Sequence, residues 1–236
     1  MKPSIDAVCG ARCLVRILSL FLLCAIGSVA KAHGVAGGDA AYLESVSGVQ
    51  LFPLMYLGAK HMVTGYDHLL FLAGVIFFLY RLKDVALYVT LFAVGHSVTL
   101  LFGVLGGIHA NPHVVDAIIG LSVVYKALEN MGAFKRMGVR IDSRLAVLAF
   151  GMAHGFGLST KLQDLHLSQD GLVGNILAFN VGVELGQFAA LALILLAFQL
   201  WRRSTAFERG GYRTNVLIMM VGWVLFGYQV TAYFTA

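Results

Sequence analysis

Charge is scarce in this 236-residue chain: Asp, Glu, Lys and Arg together make up 12% of it, about half the share of an ordinary soluble domain. With 59% hydrophobic residues and a mean hydropathy of +0.82, the chain reads as a polytopic helical membrane protein with one bundle as its domain. The apolar runs are far too long for the alternation of a transmembrane β-barrel. Cysteine is scarce too. Cys9, Cys13 and Cys24 all fall near the start, ahead of a candidate cleavage point. No soluble domain, low-complexity tract or internal repeat is visible. No basic stripe with interleaved aromatics points to nucleic acid, and no ATP-binding sequence is present.

Residues 1–32 have the layout of a secretory signal peptide. Lys2, Arg12 and Arg16 give a basic start, Ile17 to Ala30 an apolar centre, and Ala30-Lys31-Ala32 an A-x-A cleavage site. The competing reading is an uncleaved first membrane helix. Cleavage would remove every thiol, leaving nitrogen, oxygen and thioether sulfur as the available metal donors. It would also leave His33 as a new amino terminus able to chelate copper, although a disordered first residue is the ordinary expectation. Gly34 to Gly48, rich in Gly, Ala and Ser, reads as a short flexible lead-in.

Residues 33–236 then carry six apolar segments, at approximately 51–80, 84–107, 113–130, 145–160, 172–200 and 214–235. Most approach the ~20 residues that a span requires. The first is longer, with Pro53, Gly58 and Gly65 offering points to bend. Ten basic residues lie in alternate loops: Arg81 and Lys83, then Lys135, Arg136, Arg140 and Arg144, then Arg202, Arg203, Arg209 and Arg213. The other side holds only Lys60 and Lys161. The positive-inside rule therefore makes those loops cytoplasmic and puts both mature ends outside. In a bacterium this means a multi-pass inner-membrane protein with periplasmic termini. The net charge of +5 is a topology signal.

Polar residues inside the apolar segments are the functional candidates, because an aspartate at mid-bilayer costs about 2.5–3.5 kcal/mol on insertion scales. His61, Asp67 and His68 share the first segment, within His61-Met-Val-Thr-Gly-Tyr-Asp67-His68. Imidazole with carboxylate is the donor mix that borderline divalent metals prefer. The second segment supplies His96, with Thr99 on the same face, and the fourth supplies His154 between Gly151 and Gly155. In the fifth, Asn180, Glu184 and Gln187 form one polar stripe beside Gly182 and Gly186. Each has an ordinary alternative. A lone intramembrane histidine usually makes an interhelical hydrogen bond, and the amides of Asn180 and Gln187 serve as glue. Lys126, Glu129 and Asn130 look like an anchoring group. Glu184 is harder to dismiss, since a mid-span carboxylate needs a cation or a proton. His33, His109, His113 and His166 fall on the outer side.

In a straight helix His61 and His68 would be ~10.5 Å apart, with Asp67 turned about 100° from His68. One ion cannot then be held by all three. Either Gly65 bends the segment, or His61 serves an outer site and His68 a deeper one; two sites along a path is the favoured expectation.

His61-x5-Asp67-His68 resembles the H-x5-D-H signature of the HupE/UreJ family, membrane proteins associated with hydrogenase and urease maturation and regarded as nickel permeases. The resemblance continues through Gly95-His96-Ser97-Val98-Thr99, Ser122 to Asn130, His154-Gly155-Phe156-Gly157 and Phe179-Asn180-Val181-Gly182-Val183-Glu184, nearly the whole mature chain. Where the hydrogenase-linked branch has Phe-His-Gly, this chain has Phe179-Asn180-Val181, which places it closer to a second branch. The resemblance implies an all-α bundle and a permease for nickel or another divalent cation (zinc, cobalt or copper). The metal-facing residues would be His61, Asp67, His68, His96, His154 and Glu184. Such a permease needs no resident cofactor and is not an enzyme; its partners are the metal ion and the bilayer, and a homo-oligomer is allowed. The alternatives are an intramembrane zinc hydrolase built on His68, His96 and His154 with Asp67 or Glu184 as base, or a metal-binding accessory protein for metalloenzyme assembly.

Overall fold

The computed structural model describes residues 37–45, 47–165 and 168–235. The expected signal peptide, its three cysteines, His33 and His166 lie outside the described residues. Among those described, every regular element is helical: α1 (Gly37–Ser45), α2 (Leu51–Thr64), α3 (Tyr66–Ile76), α4 (Leu82–Gly106), α5 (Pro112–Asn130), α6 (Ala133–Arg136), α7 (Ser143–Gln163), α8 (Leu172–Arg202) and α9 (Thr205–Thr235). Four of these, α4, α7, α8 and α9, are long and apolar enough to cross a bilayer.

The long helices associate in pairs, α2 with α8, α4 with α7 and α5 with α9. Glycine seams explain the pairing. In lipid there is no hydrophobic drive between helices, so close backbone approach and van der Waals contact must hold them. A β-carbon at Gly182 would overlap the Met55 carbonyl, and one at Gly155 would overlap the His96 carbonyl. At the third seam, a β-carbon on Gly120 would come within 2.8 Å of the Phe226 nitrogen. The register shows α2 running parallel to α8 and α4 parallel to α7, whereas α5 and α9 are antiparallel, with His113 bonded to Gln229 at one end and Asn130 to Asn215 at the other.

Between these pairs lies α3, eleven residues long and anchored at its C-terminal end. The Arg202 guanidinium donates to the carbonyls of Leu79 (2.9 Å), Ile76 (2.6 Å) and Phe77 (2.5 Å), a favourable place for a cation at a helix C-terminus. Asn130 Nδ2 donates to the Gly74 carbonyl at 2.8 Å. The Lys126–Glu129 ion pair spans 2.5 Å, and Ser143 bonds the other Glu129 oxygen.

Three expectations change. Residues 37–45, expected to be part of a flexible lead-in, form α1. Burial of Leu43, 3% exposed, and the 2.8 Å Lys60–Asp39 bridge supply the tertiary contacts that a short glycine-containing helix lacks by itself. The last helix begins at Thr205 rather than 214, because helical hydrogen bonding continues past Arg209 and Arg213, where apolarity stops. Lys60 and Lys161 both sit within helices, α2 and α7.

Candidate metal centre

Gly65 ends α2 and begins α3. Its N–H donates to the His61 carbonyl at 2.8 Å, and its own carbonyl accepts from Leu69 at 3.1 Å. The extended backbone there (φ −74, ψ 95) breaks the helix. A β-carbon on Gly65 would stand 3.1 Å from both the His61 carbonyl and His68 Nδ1, so no larger residue fits without moving the pair. The break overturns the straight-helix estimate. His61 and His68 become neighbours, with ring centroids 5.6 Å apart, and the expectation of two separated sites gives way to one cluster.

His68 is the hub of that cluster. Its ring lies 5.7 Å from that of His96 on α4 and 4.8 Å from that of His154 on α7. His68, His96 and His154 are all but fully buried. Phe71 and Phe92 pack on the His154 ring at 5.3 and 5.2 Å, and Phe179 lies 6.3 Å from His61. The four imidazoles thus sit in an apolar shell that limits access of water.

Their hydrogen bonding is lopsided. His68 Nδ1 bonds Asp67 Oδ1 at 2.9 Å, and that oxygen also accepts the His68 backbone N–H at 2.9 Å. His154 Nδ1 lies 2.7 Å from the Phe150 carbonyl, which can only accept. Both Nδ1 atoms therefore carry a proton, and in a neutral imidazole the lone pair is then on Nε2. The Nε2 atoms of His61, His68, His96 and His154 are all buried without a hydrogen-bond partner. Four such omissions in one place are unusual, because buried polar atoms are nearly always satisfied. A carboxylate or carbonyl behind one nitrogen and an open lone pair on the other is the arrangement that metal-ligating histidines adopt.

The spacing suits an ion, and the orientation does not yet. Imidazoles bound through Nε2 at ~2.0–2.1 Å about a tetrahedral ion place their ring centroids roughly 5 Å apart, close to the separations around His68. The rings, however, meet edge to face, at 69–78°. Among the described residues, no group of three His, Cys, Asp or Glu side chains is arranged to hold a metal as it stands.

Glu184 lies outside this cluster. Its Oε1 accepts from Ser97 Oγ at 2.9 Å and Asn180 Nδ2 at 3.3 Å, and Asn180 also donates to Ser97. Gln187 continues the stripe by donating to the Val89 carbonyl at 3.3 Å. The stripe therefore ties α8 to α4. Thr99 ties α4 to α7 through the Met152 carbonyl at 2.7 Å.

Asp116 and Lys161 join the site although neither stands among the candidates from sequence. A small cavity is lined by His61, Asp67, His68, Ile119, His154, Leu158 and Lys161. Lys161 pairs at 2.8 Å with Asp116, which is 3% exposed. Asp116 lies in an apolar helix just as Asp67 does, and the same rule could have flagged it. Its pairing with Lys161, 45 positions away, leaves no trace in local sequence.

Fold and site together define a helical membrane protein with an intramembrane imidazole cluster backed by a carboxylate. The HupE / UreJ protein family model matches residues 38–236. The chain belongs to the HupE/UreJ family. No curated protein and no solved structure matches it.

Proposed function

We propose that the protein is an inner-membrane permease for nickel or another divalent transition-metal cation, with the imidazole cluster as its intramembrane binding step. The observation carrying this reading is the set of four buried Nε2 atoms without partners. An ion entering beside His68, whose ring lies 4.8–5.7 Å from the other three, would give these nitrogens a partner once the rings turn toward it. Family membership supports the reading, since the HupE/UreJ family is associated with metal transport and with accessory roles. Zinc, cobalt and copper suit the same donors, because affinity at nitrogen sites follows the general divalent series rather than one metal.

The chain is read as six spans, with α2 and α3 together making the broken first one and both mature ends periplasmic. Signal cleavage after Ala32 agrees with that orientation. A membrane potential supplies ~4.6 kcal/mol for a divalent ion per 100 mV, enough to drive uptake without ATP. Glu184, held by Ser97 and Asn180 beside the His96 turn, belongs to the later part of the path.

A zinc hydrolase would use His68, His96 and His154 as ligands, with Asp67 as base. The two bonds from His68 to Asp67 Oδ1 favour a supporting role for that carboxylate. Uptake of radioactive nickel into metal-limited cells tests the proposal. His68→Ala and Asp67→Ala are expected to abolish uptake while membrane abundance stays at the wild-type level; normal uptake by both would defeat it.

A further inference from the structure

We propose that Lys161 is a tethered competitor for the incoming cation, and that Asp116 holds it against the cavity wall. The proposal rests on the reading of the cavity as a metal site. His154, Leu158 and Lys161 fall at i, i+4 and i+7 on α7, one face of the helix, and all three line the cavity. A fixed ammonium is an odd neighbour for a cation site. An ion pair serving only to join α5 and α7 would not need to face the imidazoles.

The pair is also organised beyond its own two members. Lys161 Nζ bonds Asp116 Oδ1 at 2.8 Å. Gln229 Nε2 donates to Asp116 Oδ2 at 3.2 Å, and Gln229 Oε1 bonds His113 Nδ1 at 2.9 Å. Both carboxylate oxygens are thus engaged, and the chain of bonds leads to partly exposed His113 near the start of α5.

Charge bookkeeping gives the consequence. With the imidazoles neutral, the carboxylates Asp67 and Asp116 and the ammonium Lys161 leave one net negative charge. A divalent ion then brings the group to one net positive charge, where a neutral residue at 161 would leave none. In a low-dielectric setting that difference weakens binding and favours release. A transport site needs that weakness, since an ion bound too tightly would not leave.

Ni²⁺ titration of the purified full-length protein at fixed ionic strength is the test, with dissociation rates read in parallel. Lys161→Gln is expected to bind at least about tenfold more tightly than wild type and release more slowly. Lys161→Arg keeps the charge and is expected to stay within about twofold of wild type. Asp116→Asn frees the ammonium toward the cluster and is expected to weaken binding. Opposite shifts from the two members of one ion pair are what a merely structural pair would not produce. If wild type binds and His154→Ala does not, while Lys161→Gln binds no more tightly than wild type, this proposal fails alone. If wild type binds no Ni²⁺, the metal site fails and the proposal with it. Should Asp116→Asn not fold, the contrast between Lys161→Gln and Lys161→Arg still decides.

Discussion

At the scale of single residues, Asp67 and the Phe150 carbonyl do comparable work. Each accepts a hydrogen bond from an imidazole Nδ1–H and so leaves Nε2 of His68 or His154 as the nitrogen open to a ligand. Asp67 does so with charge, at the start of α3, where a carboxylate is stabilised by the helix N-terminus. Asp67→Asn retains the size and loses the charge. It is expected to weaken Ni²⁺ binding by about 10–100-fold, the usual cost of removing such a supporting group, with equilibrium dialysis as the measurement; unchanged affinity would assign Asp67 to packing alone. The residue identities were legible in the sequence, because ionisable groups in apolar runs stand out. Their mutual geometry was not, since a straight helix keeps His61 and His68 apart and only the break at Gly65 brings them together.

At the scale of elements, two glycines bear different consequences. Gly65→Ala would press a β-carbon toward His68 Nδ1 and the His61 carbonyl, disturbing the site more than the fold. The expected result is weakened Ni²⁺ binding with near wild-type thermal stability in detergent. Gly155→Ala would drive a β-carbon into the His96 carbonyl across the α4–α7 seam and should cost about 1–3 kcal/mol, read as a lowered Tm. Gly227, with nothing near its β-carbon position, is the control and should tolerate alanine. The four-residue spacing of Gly151 and Gly155 is a pattern that permits close helix approach, but it does not name α4 as the partner. Helix α1 was not readable, because its stability comes from Leu43 burial and the Lys60–Asp39 bridge rather than from its own composition.

For the whole molecule, the parallel α2–α8 and α4–α7 pairs and the antiparallel α5–α9 pair are the directions that the proposed six alternating spans require, with α2 and α3 counted as one. Among the described residues, apolar length alone picks out α4, α7, α8 and α9. It passes over α5, which carries Asp116, Lys126 and Glu129, and the broken segment made of α2 and α3. The charge pattern carries information that length does not, and it predicts sidedness directly. In a background with Cys9, Cys13 and Cys24 replaced by serine, Ala110→Cys should react with an impermeant maleimide in spheroplasts. Val139→Cys should react only after the membrane is opened. The reverse pattern would invert the topology and place the basic loops outside.

The central claim is that His61, His68, His96 and His154 receive a divalent metal through Nε2. X-ray absorption of the Ni²⁺-loaded protein, wild type against His68→Ala, tests it most directly. Imidazole-nitrogen coordination from at least three rings is expected in wild type, with loss of bound metal or of a nitrogen shell in the variant. An oxygen-only first shell, or a spectrum identical in the two proteins, would contradict it.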